Sequence, residues 1–285
     1  MILFTIFIIA LIGACFGSFA TLVSYRLALS AGYVTTIIND KNSRIGNIMS
    51  SEIIFSRSAC PNCGNKLSFY NLIPIFSYLY QKGKCSFCSN KISIRYPIIE
   101  IVTAIIFVAI FIANSHKIDY QLPLILAIAT ILLIMSIIDI EYFFVPDSLQ
   151  IILAIIIAIL IYSQEILLLK SNHQLSIVAI GYFTLNKLLS SFFYCFFILA
   201  IGKLVEYYCN QEAVGIDDIK FFAVAGLMIE INKILLFIAI TGLIGLLLAK
   251  IWQKFYQENQ FPFIPALALA MIISFFAKNI FIINF

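Results

Sequence analysis

The stretch "LPLILAIATILLIMSII" (Leu122–Ile138) runs for 17 residues without a charge. A bilayer core of about 30 Å takes roughly 20 mostly apolar residues per helix, and inside it the backbone has to satisfy its own hydrogen bonds. The stretch therefore reads as a membrane-spanning helix. Working outward from it, comparable runs lie at about 2–25, 97–114, 148–166, 184–206, 216–231, 233–251 and 261–283. The run at 216–231 is short and carries acids. Across its 285 residues the chain is 62% hydrophobic and 11% charged, where soluble domains carry about 25% charged residues. The expected class is an all-α polytopic membrane protein with about eight transmembrane helices.

The first run has no basic leading end and is followed by Tyr25-Arg26, not by a small-residue cleavage site. It reads as a retained helix and not as a signal peptide. A long polar segment, about 26–96, separates the first two runs. It holds nine basic residues (Arg26, Lys41, Arg44, Arg57, Lys66, Lys82, Lys84, Lys91 and Arg95) and two acids, Asp40 and Glu52. Basic residues near helix ends mark the cytoplasmic side, and Lys203, Lys250 and Lys254 fit the same orientation. These loops are expected in the cytoplasm, with both termini on the other side. The more polar stretch Ser163–Ser176 is expected to be an extracytoplasmic loop. The net charge of +4 reads as topology and not as nucleic-acid binding. No internal repeat or low-complexity tract stands out.

Seven cysteines are present. Cys15, Cys195 and Cys209 stand alone and read as small buried packing residues. Cys60, Cys63, Cys85 and Cys88 form two CxxC pairs separated by 21 residues, close to the spacing of four-cysteine zinc sites. A CxxC turn lets two thiolates point at one tetrahedral ion, and four thiolates leave no open position, so the site is expected to be structural. Gly64, just after the first pair, suits a turn that needs positive φ. Two disulfides are the other reading, disfavoured in a reducing cytoplasmic loop. A metal would also help a loop of this length to fold without a large core.

Two acidic stretches, "SIIDIEYFFVPDSL" (Ser136–Leu149) and "GIDDIKFF" (Gly215–Phe222), fall at run ends that the topology places on one face. Asp139 and Asp218 are distant in sequence but can meet at one depth of the bilayer. Ionisable groups there are costly and point to function. Two close carboxylates in low dielectric share a proton: the ionised one can activate water and the protonated one can polarise a peptide carbonyl. The neighbours have alternative roles. Asp147 can cap the fourth helix, and Asp217 or Asp218 the sixth. Glu141 reads as an interfacial or substrate-facing charge. Lys220 reads either as a snorkelling lysine or as part of the site. A transporter is disfavoured because no acid sits in mid-bilayer.

With these residues in view, the chain resembles the type IV prepilin leader peptidases, membrane aspartic proteases of the GxGD type that also methylate the trimmed substrate. "GACFGSFATLVSYRL" (Gly13–Leu27) resembles the family's first helix. Arg57–Glu100, with its cysteines, resembles the family's cysteine domain nearly throughout. "IDIEYFFVPD" (Ile138–Asp147) and "GIDDIK" (Gly215–Lys220) resemble its two aspartate motifs. Asp217 takes the place of the second glycine of Gly-x-Gly-Asp, Thr21 that of an asparagine and Ala28 that of a proline. The resemblance implies Asp139 and Asp218 as catalytic residues, zinc on the four cysteines and S-adenosylmethionine as methyl donor. It implies prepilin or pseudopilin substrates and a bacterial inner-membrane location. Glu100, Glu141, Asp147, Asp217 and Lys220 are substrate or accessory candidates. Glu100, at the membrane return of the loop, is also the best guess for the methylation site, or else an interfacial acid. The expected domains are a first helix (1–25), a cytoplasmic four-cysteine zinc domain (26–96) and a peptidase domain (97–285). The other function weighed is a non-enzymatic zinc-containing assembly factor of a pilus or secretion system.

Overall fold

The computed structural model describes residues 2–33, 57–60, 62–171, 177–209, 214–257 and 260–281. The expectations for Asp40, Lys41, Arg44 and Glu52, and for the end of Ser163–Ser176, lie outside the described residues. Each of the eight apolar runs contains a helix, and among the described residues the only β pairing is two isolated bridges, Ala59 with Lys66 and Lys84 with Lys91.

The chain divides into two compact units, Met1–Ile118 and Asp119–Phe285. In the first, α1 (Ile2–Ser30) packs on α3 (Arg95–Ala113), with a 3-10 turn (Phe69–Leu72) and the short α2 (Phe76–Tyr80) between them in sequence. Small residues form the buried stripe of α1: Gly13, Gly17, Ala20, Thr21, Ser24 and Ala28. Membrane helices approach closely through such stripes, because lipid supplies no hydrophobic drive between them. A Cβ on Gly13 would lie 2.8 Å from the Cα of Ala104, and one on Gly17 would lie 2.8 Å from the Cα of Glu100. The contacts descend along α3 as they ascend along α1, so the two helices run antiparallel. Cys15 does not pack as expected. It is exposed, because it lies off this stripe and an apolar thiol on a membrane helix needs no protein cover.

The second unit contains α4 (Gln121–Tyr142), α5 (Asp147–Ser171), α6 (Ile177–Cys209), α7 (Ile216–Met228), α8 (Ile234–Tyr256) and α9 (Ile264–Phe281). The stretch Ser163–Ser171 is helix, not loop, since α5 carries its hydrogen bonding past the apolar run. In the same way Lys203, Lys250 and Lys254 lie inside the overrunning ends of α6 and α8. Among the described residues six helices, α1, α3, α4, α5, α6 and α8, are long and apolar enough to cross a membrane. With 13 residues, α7 is about 20 Å long and falls short of the core thickness. The buried α4 packs against α5 and α9, and α7 against α5, α6 and α9. Gly226 lets α7 touch α6: a Cβ there would lie 2.6 Å from the Cα of Ser191, whose hydroxyl donates to the Ala223 carbonyl at 2.7 Å.

Candidate functional site

Helix α4 ends at Tyr142 because Phe143 turns into the left-handed region (φ 51°), its N–H still donating to the Asp139 carbonyl. A bulky residue is rare there. The Phe143 ring meets Trp252 edge-on at 6.0 Å. This stop leaves Asp139 in the last turn of α4, only 8% exposed. Its Oδ2 accepts the N–H of Ile264 at 2.9 Å. Ile264 is the first residue of α9, and a helix N-terminus presents unpaired N–H groups and a partial positive charge to such an anion.

Asp218 lies in the first turn of α7, which is capped by Gly215 without any side-chain hydrogen bond. Neither Asp217 nor Asp218 acts as the N-cap. Asp218 is partly buried, and it interacts electrostatically with both Asp139 and Asp217. Seventy-nine residues separate it from Asp139, yet the two carboxylates share one electrostatic environment.

Around the pair, Lys220 Nζ lies 2.5 Å from Asp147 Oδ1 and 3.5 Å from Asp217 Oδ1. Asp147, the first residue of α5, gives one carboxylate oxygen to this lysine. Lys220 therefore links α7 to α5. A second link was not foreseen from sequence. Gln150, 4% exposed, donates from Nε2 to the Asp217 carbonyl at 3.3 Å. Asp217 has ordinary helical backbone and is absent from the positive-φ residues, so the position does not require glycine. Glu141 is partly buried in the last turn of α4.

The four cysteines converge in the first unit, their Sγ atoms all within 4.8 Å of one another. Cys60 and Cys88 Sγ stand 4.0 Å apart, near the edge of about 3.8 Å that a tetrahedron of 2.3 Å Zn–S bonds requires. The site is built by two matching knuckles. In "CPNCGNK" (Cys60–Lys66) the Gly64 N–H donates to the Cys60 carbonyl and the Cys60 N–H to the Asn65 carbonyl; in "CSFCSNK" (Cys85–Lys91) Ser89 and Asn90 make the same bonds with Cys85. Gly64 and Ser89 hold matching positive φ, 69° and 57°. The two knuckles form an internal repeat of seven residues, too short to stand out in the sequence. The backbone N–H groups of Cys88 and Phe87 bring the Cys85 thiol down to about 7. The Asn65 N–H favours the Cys63 thiolate, but burial and the neighbouring Cys60 and Cys88 push that thiol up to about 11.

Glu100 is buried within the protein and does not face solvent. It is 7% exposed, accepts the Ile75 N–H at 2.7 Å and interacts with the Ser18 hydroxyl. Beside it a cavity of about 230 Å³ opens among Ser18, Phe19 and Leu22 of α1 and Leu72 and Pro74.

The comparisons with known proteins cover both units. Residues 11–114 match the bacterial Peptidase A24 N-terminal domain and residues 126–250 the type IV leader peptidase family. A prepilin leader peptidase/N-methyltransferase of Bacillus subtilis (strain 168) is 31% identical over 226 residues, 78% of this chain and 82% of its own. A protein of the same description from Neisseria gonorrhoeae is 29% identical over 285 residues, 97% of this chain and 92% of its own. One from Vibrio cholerae is 26% identical over 274 residues, 94% and 95%. No solved structure matches.

Proposed function

Since this chain belongs to the prepilin leader peptidase/N-methyltransferase family, we propose that it cleaves the leader from type IV prepilins or pseudopilins with Asp139 and Asp218, then N-methylates the new amino terminus. What supports the peptidase assignment is that Asp218 lies close enough to Asp139, 79 positions earlier in the sequence, to feel its charge, with Asp139 held against the start of α9. The N–H of Ile264 favours negative charge on Asp139, which makes it the base. Asp139 takes a proton from water as the water oxygen adds to the scissile carbonyl. Asp218 gives its proton to the carbonyl oxygen. When the tetrahedral intermediate collapses, one of its hydroxyls returns a proton to Asp218 as the C–N bond breaks, and the proton on Asp139 passes to the leaving amine.

The link from Lys220 to Asp147 and the hydrogen bond from Gln150 hold the turn that carries Asp218. In this reading the four cysteines ligate a structural zinc ion, which takes no part in hydrolysis. The basic residues between α1 and α3 support a cytoplasmic position for that cysteine segment in this reading. The family implies S-adenosylmethionine as methyl donor. The cavity beside Glu100, as formed by the described residues, does not fit it, being smaller than the roughly 300 Å³ at which ligand pockets begin and lined by no charged side chain among those residues. Methylation therefore rests on family membership.

The test is a gel-shift assay of co-expressed prepilin. Asp139→Asn and Asp218→Asn are each expected to lower cleavage at least about a hundredfold, with the protein still in the membrane. Wild-type cleavage by either variant would remove that residue from the mechanism. Mass spectrometry of the released amino terminus reads the added methyl group separately.

A further inference from the structure

The four-cysteine segment is not simply a solvated loop. Between the knuckles, Phe69–Tyr80 presents large apolar side chains outward: Phe69 is 84% exposed, Tyr70 81%, Phe76 61%, Leu79 65% and Tyr80 90%. Phe76, Leu79 and Tyr80 fall at i, i+3 and i+4 on one face of α2. In water such a strip would be an aggregation hazard.

Its depth follows from one hydrogen bond. The Ile75 N–H donates to Glu100, which lies five residues inside α3, a helix that begins at Arg95 and qualifies as a membrane span. Five residues of helix are about 8 Å. Leu72 and Pro74 also line a cavity with Ser18 and Leu22, well inside the 29-residue α1. The backbone is bent to reach this depth. Ile75, a β-branched residue, has φ 63° and ψ −53°, and the Phe76 N–H closes a γ-turn onto the Pro74 carbonyl at 2.6 Å. Such a strained turn persists only where its surroundings over-determine it. Glu100 supplies that restraint, and a buried carboxylate acceptor stands in for the water that an N–H would lack at this level.

Charge identifies the occupant of the exposed face. From Arg57 to Ile99 there are six basic residues, Arg57, Lys66, Lys82, Lys84, Lys91 and Arg95, and no acid. Basic and aromatic side chains together match an anionic lipid interface, where aromatic rings sit at headgroup level and lysines attract acidic headgroups. We propose that Phe69–Tyr80 is a membrane-lying element that seats its aromatic face in the bilayer interface, with Lys82 and Lys84 on anionic headgroups. This goes beyond the peptidase reading and does not depend on it.

The experiment uses full-length protein in nanodiscs and reads fluorescence, not activity. Trp252→Phe removes the one tryptophan, and Phe76→Trp and Tyr80→Trp each add a reporter. Both are expected to show blue-shifted emission, strong quenching by lipids doxyl-labelled near the top of the acyl chain, and weak quenching by aqueous acrylamide. Reversing Lys82 and Lys84 to Glu should lower doxyl quenching at Tyr80→Trp at least about twofold in anionic nanodiscs and leave it unchanged in neutral ones. Full acrylamide access at both reporters overturns the proposal. So does shielding from both quenchers, which would mean that protein covers the face. No effect of charge reversal in anionic nanodiscs overturns the headgroup contact. If Phe76→Trp does not fold, Tyr80→Trp, on a side chain that is 90% exposed, decides the question.

Discussion

Asp139 and the four cysteines were legible at the scale of single residues because their chemistry is out of place where it stands: a carboxylate at the end of an apolar run, paired thiols in a polar segment. Ile264 and Gln150 were not legible. Each acts through a bond that reaches 125 or 67 residues along the chain, and nothing local marks either. Asp217 shows the reverse case. The family's glycine at this position would admit an unusual backbone conformation, but Asp217 has ordinary helical geometry and does not need one. The cysteines carry a prediction of sign. Metal binds thiolates, so protons compete for the site. Cys63 sits near 11, so its thiol is protonated throughout the neutral range and each unit of acidification favours the proton further. Cys85, near 7, joins this competition below neutrality. Zinc affinity, measured by competition with a chromophoric chelator, is expected to fall about tenfold or more per unit as pH drops from 8 to 6.

Among the elements, the helices were readable because eight apolar runs permit nothing else in lipid, while their ends were not. Hydrogen bonding carries α5 through Ser171 and α6 through Cys209, beyond where hydropathy fades. The γ-turn at Ile75 escaped notice too, since it exists only because Glu100 arrives from another helix. Close packing through glycine gives an element-level test. Gly17→Ala and Gly226→Ala drive a Cβ against the backbone of Glu100 and of Ser191. Each is expected to cost about 1–3 kcal/mol, read as a lowered Tm in detergent. Gly242, in α8, has nothing within 4 Å of an added Cβ. Gly242→Ala should be neutral or stabilising by up to about 1 kcal/mol, because alanine favours helix. Equal losses at all three sites would mean that close approach is not what these glycines provide.

At the level of the whole molecule, each of the two units carries its own chemistry: the four-cysteine knuckles with α1 and α3, and the two acids with α4 to α9. Family and class were both legible, because motif residues and hydropathy survive without knowledge of packing. Orientation is open to direct test. Added protease is expected to cut within 26–96 in inverted membrane vesicles and to spare it in intact spheroplasts. Cleavage in spheroplasts would reverse the assignment.

The twin knuckles have a consequence for how the cell's metal supply is felt. Each contributes two ligands, and the stretch they bracket, residues 64–84, contains the aromatic segment beside α1. An ion held between them would work as a clasp that closes this loop, limiting the chain's freedom as a covalent cross-link would. Starving the cell of metal, or stripping the ion with a chelator, would then release both ends of that segment together.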